Sequence, residues 1–323
     1  MIELIKPHGK ILINGYCSTN EIDTYKNESN HYVSYVLNDR QICDIELILN
    51  GAFSPLDGFM CQDDYESVLN RNRLKNNTVW PMPIILDIDS ITSKSVEIDD
   101  NIALKDKEGY LIAILEIKDI WKYNKKIEAE KVYGTTDISH PGVRYLFENS
   151  GDVCVGGKLI GIEEPHHYDF LDIRLSPKQT RAFFNSKEWK KTVAFQTRNP
   201  MHRAHKEITL RASEEIEGNI LLHPVVGLTK HGDVDYFTRV RCYQKIVKKF
   251  PKNKILLGLL PLAMRMAGPR EALWHAIIRK NFGCSHFIIG RDHAGPGNDK
   301  NGKPFYGPYE AQDLVKSFED ELE

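Results

Sequence analysis

Two regimes of apolar patterning divide the chain. From Thr192 onward, short apolar runs at 192–195, 220–223, 254–260 and 284–289 alternate with longer amphipathic stretches at 200–217, 235–250 and 269–282. Within 235–250, Phe237, Val240, Tyr243, Ile246, Val247 and Phe250 recur at helical spacing, so one face turns to a core. Short strands alternating with helices predict a parallel, doubly wound sheet of Rossmann type. Ligands on such sheets bind beyond the carboxyl ends of the strands, which puts the loops at 196–199, 227–235, 261–269 and 290–297 at one edge. The first half reads differently. Pro81 and Pro83 make 79–86 an extended run rather than a helix. The runs 102–104 and 110–115 flank Lys107-Glu108-Gly109 as a hairpin. Residues 39–50 carry Ile42, Ile45 and Leu49 on a helical stripe, followed by a turn-rich loop at 51–59. A boundary falls at 163–168, and Ser176 with Gln179 forms a capping box for a helix through Phe184. The expected division is therefore a β-rich domain over 1–168 and an α/β domain over 169–323.

Composition narrows the class. The 323 residues are 41% hydrophobic and 27% charged, an ordinary globular balance. Lys and Arg total 43 against 45 Asp and Glu, a net charge of -2, so neither nucleic acid nor an anionic membrane is attracted globally. Any anion must be held by local placement. Cys17, Cys43, Cys61, Cys154, Cys242 and Cys284 form no C-x-x-C pair and no zinc spacing, which suits reduced thiols in a cytoplasmic protein. The first seven residues lack signal-peptide architecture, and the longest apolar run, 255–264, is short and interrupted by Pro261. Residues 151–158 superficially suggest a P-loop, but Gly157 precedes Lys158 and no Ser or Thr follows; a strand with turns is expected. His166 and His167, being adjacent, point to different sides and make no shared metal site.

Candidate chemistry gathers in Gln196-Thr197-Arg198-Asn199-Pro200-Met201-His202-Arg203-Ala204-His205. Asn199 reads as a helix N-cap and Pro200 as the first helical residue, with His202 and His205 on one face. Orphan backbone N–H groups, Arg198 and two imidazoles make a seat for phosphate oxygens. The glycine-rich loop Gly290-Arg291-Asp292-His293-Ala294-Gly295-Pro296-Gly297 lets backbone N–H groups approach a ligand and adds a permanent charge. Met264 and Met266 suit either an adenine ring or a core gap, and 230–235 reads as a glycine-hinged flap. No Ser-His-Asp set, activated Cys or carboxylate pair accompanies these loops. Positioning and charge neutralisation fit transfer at phosphorus.

These two motifs together resemble ATP sulfurylase, the sulfate adenylyltransferase family. The resemblance extends through 223–230, 239–243 and 260–280, and in the first half through 44–60 and 134–137. It implies a PUA-like N-terminal domain and a nucleotidyltransferase domain that converts ATP and sulfate to adenylyl sulfate and pyrophosphate. Sulfate would attack the α-phosphorus directly. By the same resemblance, Gln196, Arg198 and the Ala294 backbone hold sulfate. Gln196, Thr197, Arg198 and Asn199, with Gly290, Arg291, Asp292 and His293, contact ATP. Thr197, Arg198 and Asn199 are active-site residues, Arg291 serves ATP recognition, and His202 and His205 stabilise the transition state. Related enzymes carry H-x-G-H, whereas this chain has Arg203-Ala204 between its histidines. Mg²⁺ would accompany the nucleotide, with no protein-bound metal. The family usually continues into a small C-terminal domain, which is expected to be absent or truncated after Glu323. A cytoplasmic homo-oligomer, with a homodimer favoured, is the expected form. Two other readings stay open: an adenylyl or cytidylyl transferase with another small acceptor such as a phosphate ester, and a PUA-type RNA-binding protein.

Overall fold

The computed structural model describes residues 2–229 and 232–323. The first half is built on a mixed sheet of β1 (Val33–Val36), β2 (Gly58–Phe59), β3 (Leu86–Ile88), β4 (Asn101–Lys105), β5 (Leu111–Lys122) and β6 (Val153–Gly161). The order is β1-β4-β5-β6-β2, with β3 also on β6. Only β1 and β4 run parallel. The expected hairpin is β4–β5, closed by Gly109 N–H on Asp106 O at 3.1 Å with Gly109 at φ +90. Around it lie α1 (Ile22–Ser29), α2 (Asp39–Leu49), α3 (Gln62–Arg71), α4 (Lys125–Glu128) and α5 (Pro141–Glu148). The stripe read over 39–50 is α2, and Asn38 and Gln41 close a reciprocal cap at its start. The extended run at 79–86 is a strand only from Leu86, because its prolines cannot donate to a ladder.

The second half holds β7 (Thr192–Phe195), β8 (Asn219–Leu222), β9 (Ile255–Leu257) and β10 (His286–Phe287), all parallel, in the order β10-β7-β8-β9. The last two strands are shorter than the apolar runs that announced them. The helices are α6 (Pro177–Ser186), α7 (Arg203–Glu215), α8 (Tyr236–Val247), α9 (Gly268–Asn281), α10 (Glu310–Lys316) and α11 (Glu319–Leu322). The Ser176–Gln179 box caps α6. On α8, Val240 and Tyr243 are buried as read, but Phe237 is exposed against Phe170 and Arg241. The chain passes from β7 through β8 to β9, then returns to the other side of β7. The strand order therefore reverses between β7 and β10, which is where a parallel sheet opens a crevice.

Helix α9 has almost no solvent face. Leu273, Trp274, Ile277 and Ile278 are buried on it together with Glu271, His275 and Arg279. It joins the halves. Trp274 packs on Phe53 at 5.0 Å between ring centroids, and Phe53 packs on Trp80 at 5.9 Å. The Asn281 amide donates to Ala52 O and Ser54 O at 2.9 and 3.0 Å. Arg265, just before α9, makes a 2.5 Å ion pair with Asp44 of α2, both buried. Among the described residues no helix is long and apolar enough to cross a membrane.

Candidate active site

Strand β7 is buried along its whole length, and the chain leaves it at the crevice. Four loops meet there through main-chain bonds. Ile288 N–H reaches Ala194 O at 3.0 Å, His223 N–H reaches Phe195 O at 2.9 Å, and Val225 N–H reaches Thr197 O at 3.1 Å. Met264 N–H donates to Leu228 O and Gly268 N–H to Ala294 O. The edge predicted from the apolar runs is thus assembled as one surface.

The loop after β7 is held from below. Thr197 Oγ1 donates to Asn199 O at 2.7 Å and accepts Asn199 N–H at 3.2 Å. The Tyr243 hydroxyl donates to the same Asn199 carbonyl at 2.7 Å. Buried Arg239 donates to Arg198 O at 2.8 Å and to Val225 O at 3.1 Å. These anchors correct one expectation. Asn199 is not the N-cap and Pro200 does not begin the helix: His202 is the cap and α7 starts at Arg203. Asn199 is turned instead by Thr197 and Tyr243, and Met201 packs toward Phe195, Leu222 and Tyr243. The residue before a proline also disfavours helical geometry. The His pair survives the shift. His202 N–H donates to His205 Nδ1 at 3.3 Å, and the rings lie 5.4 Å apart. Burial and the neighbouring His202 hold the His205 pKa below its usual value, so its ring is a neutral hydrogen-bonding group near pH 7.

Arg198 Nη1 lies 2.9 Å from both carboxylate oxygens of Asp233, on the segment that opens α8. Sequence reading had put Asp233 only on a flap; Lys230 and His231 of that flap lie outside the described residues. Gln196 Oε1 is buried and has no hydrogen-bond partner among the described residues. A buried orphan acceptor costs stability unless a ligand or water serves it.

The 290–297 loop faces this one. Asp292 and Ala294 take left-handed φ values of +51 and +55, an uncommon pair for residues with a Cβ. Asp292 N–H donates to Pro308 O at 3.0 Å and Gly295 N–H to Asp292 O at 3.2 Å, which ties the loop down. A Cβ at Gly290 or Gly297 would meet nothing within 4 Å, so the loop is open on that side, whereas one at Gly295 would strike the Asp292 carboxylate. The Arg291 guanidinium sits 5.8 Å over the Tyr309 ring. His293 Nε2 lies 3.0 Å from His275 Nδ1, and burial, His275, Arg279 and Arg198 push the His293 pKa well down. Met264 and Met266 are buried and belong to the core cluster.

Sequence reading missed Asp233, Arg239 and the Glu271–His275 pair as parts of this site. The last had a signal, an acid and a histidine four apart on a helix.

The family model for ATP-sulfurylase matches residues 171–323, and the model for a PUA-like domain matches residues 5–164. The sulfate adenylyltransferase of Eremothecium gossypii is 52% identical over 320 residues, covering 99% of this chain and 64% of the relative. That of Saccharomyces cerevisiae is 54% identical over 296 residues, 92% of this chain and 58% of the relative. The chain thus spans somewhat under two thirds of the length of these relatives. Among solved structures, a hexameric APS kinase from Thiobacillus denitrificans superposes with a TM-score of 0.76 at 33% identity, over 90% of this chain and 53% of that one.

Proposed function

The chain belongs to the ATP-sulfurylase family, and from that premise we propose that it transfers the adenylyl group of ATP to sulfate. A sulfate oxygen attacks the α-phosphorus, the bond from that phosphorus to the bridging oxygen breaks, and pyrophosphate leaves. The product is adenylyl sulfate. No protein nucleophile is needed, so the chain's work is alignment and charge stabilisation.

The observation that carries the reading is the rigid turn after β7, anchored by Thr197, Arg239 and Tyr243, which presents the Arg198 guanidinium and the Gln196 carboxamide at the crevice. In this reading Gln196, Arg198 and the Ala294 backbone take sulfate. Gln196, Thr197, Arg198 and Asn199, with Gly290, Arg291, Asp292 and His293, cradle the nucleotide. His202 and His205 donate to the α-phosphoryl oxygens as negative charge builds. Among the described residues no cluster of three or more His, Cys, Asp or Glu could hold a metal ion. Mg²⁺ would arrive on the triphosphate and would offset the charge of the departing pyrophosphate. The division into 1–168 and 169–323, a homodimeric assembly and a cytoplasmic location belong to the same proposal.

Pyrophosphate release from ATP and Mg²⁺ tests it. Release should depend on sulfate, persist with selenate, and with molybdate should end in AMP. Release with pantetheine phosphate and none with sulfate would assign the site to another acceptor.

A further inference from the structure

Behind the His293 ring lies a row of buried groups that the transfer reaction leaves unused. Glu271 and His275 sit four residues apart on α9, both fully buried, with Glu271 Oε1 3.3 Å from His275 Nε2. Glu271 also accepts the Arg265 N–H at 3.0 Å and the Ala267 N–H at 2.8 Å. Burial pushes this carboxyl up, but His275 and the two N–H groups hold it below the usual range, so it is ionised. On the far side of the His275 ring, Nδ1 is 3.0 Å from His293 Nε2.

The carboxylate fixes the tautomers. A neutral imidazole has one N–H and one lone pair. The Glu271 oxygen 3.3 Å from His275 Nε2 is not aligned as a hydrogen bond, but its charge repels a lone pair there and favours the proton on Nε2, which leaves Nδ1 as the acceptor. His293 Nε2 must then be the donor, and His293 Nδ1 keeps a lone pair. Arg279 from α9, Arg198 from the β7 loop and His275 all bear on His293 and oppose a second proton; Phe287 of β10 closes the ring's edge at 5.5 Å.

We infer that Glu271 and His275 are positioning residues that hold His293 as its neutral Nε2–H tautomer. Its Nδ1 then accepts a hydrogen bond from a donor on the nucleotide, a ribose hydroxyl or the exocyclic amine. A phosphate oxygen, itself only an acceptor, would be rejected at that nitrogen. The assignment of the donor rests on the reading that the 290–293 loop holds ATP.

Two measurements test it. ¹⁵N-histidine spectra of the ligand-free chain, with His293 assigned by His293→Gln, should show a protonated Nε2 and a bare Nδ1. The signature should not change between about pH 5.5 and about pH 8, the range in which an ordinary histidine titrates. In His275→Phe, which cannot accept, the signature should change to mixed tautomers or to an ordinary titration. A protonated Nδ1 in the parent, a titrating His293, or an unchanged signature in His275→Phe would overturn the positioning role. The second measurement is KM. His275→Phe should raise KM for ATP about tenfold, the scale of one hydrogen bond, while KM for sulfate holds within about twofold. Nucleotides lacking the 2′-hydroxyl, the 3′-hydroxyl or the 6-amine separate the donors: the one without the partner should show no such rise. An equal rise with all three would refute a donor at Nδ1. Absence of ATP turnover in the parent would overturn the nucleotide reading and the donor with it, whereas the nitrogen signature decides the tautomer independently.

Discussion

Arg198→Lys separates attraction from alignment. The turn that carries Arg198 does not depend on its side chain, because Arg239 holds the Arg198 carbonyl and Thr197 and Tyr243 hold the next one. Lysine can therefore stand on the same backbone. It can also still meet Asp233, a side chain only 6% exposed, as a point charge. Folding stability should then change by less than about 1 kcal/mol, the scale of a partly exposed ion pair exchanged for a similar one. Catalysis should respond differently. Both contacts to Asp233 run through Nη1, so the planar fork has further N–H groups with which to grip a tetrahedral dianion. An ammonium cannot fix two oxygens at once. Misalignment of the attacking oxygen should cost about 10²-fold in turnover at saturating sulfate, or roughly 2.7 kcal/mol in the barrier. Nucleotide affinity, measured by titration on the same sample, should hold within about threefold. Turnover within about threefold of the parent would show that Arg198 supplies only charge, and a drop in nucleotide affinity with intact turnover per bound ATP would remove its sulfate role and leave only its nucleotide contact.

His202→Ala should lower kcat by about 10²- to 10³-fold with a smaller change in ATP binding, the scale of one lost transition-state donor; steady-state kinetics checks it. Asp44→Ala leaves the Arg265 guanidinium buried and unpaired, and should cost about 3–5 kcal/mol by denaturant titration, more than Asp44→Asn. Glu128 is buried and its pKa is pushed up to about 7, chiefly by desolvation. Its folded value exceeds the unfolded one, so its contribution is fully present below about pH 4.5 and is lost as pH rises through about 7. Glu128→Gln, which can still accept from the Tyr65 hydroxyl, should leave stability near pH 4.5 unchanged and raise it by up to roughly 3 kcal/mol at pH 8.5. Equal denaturation midpoints at pH 8.5 would refute the buried charge.

Local signals carried the sequence reading a long way. Helix α2, the β4–β5 hairpin and the alternation around β7 follow from spacing within a dozen residues, and the crevice edge follows from their order. The cap of α7 did not, because Asn199 is claimed by Thr197 beside it and Tyr243 forty-four residues on, and no local rule weighs that competition. Asp233 was likewise invisible as the partner of Arg198, a pairing that exists only once β7 and α8 are adjacent. Helix α9 offers no apolar stripe, since it is buried all round; its ends were legible from Pro269 and the glycine after Phe282.

That buried helix bears on how the molecule comes apart. Phe53, Trp80 and Trp274 belong to one continuous apolar cluster that runs through both halves, and Asp44 and Arg265 satisfy each other across it. A cut near residue 165 would not release two finished bodies. It would uncover aromatic surface and strand a buried charge in each half. The segment boundary is thus a seam in the sequence and not in the cooperativity: heat or denaturant should melt the chain in a single step, with no plateau where one half persists alone.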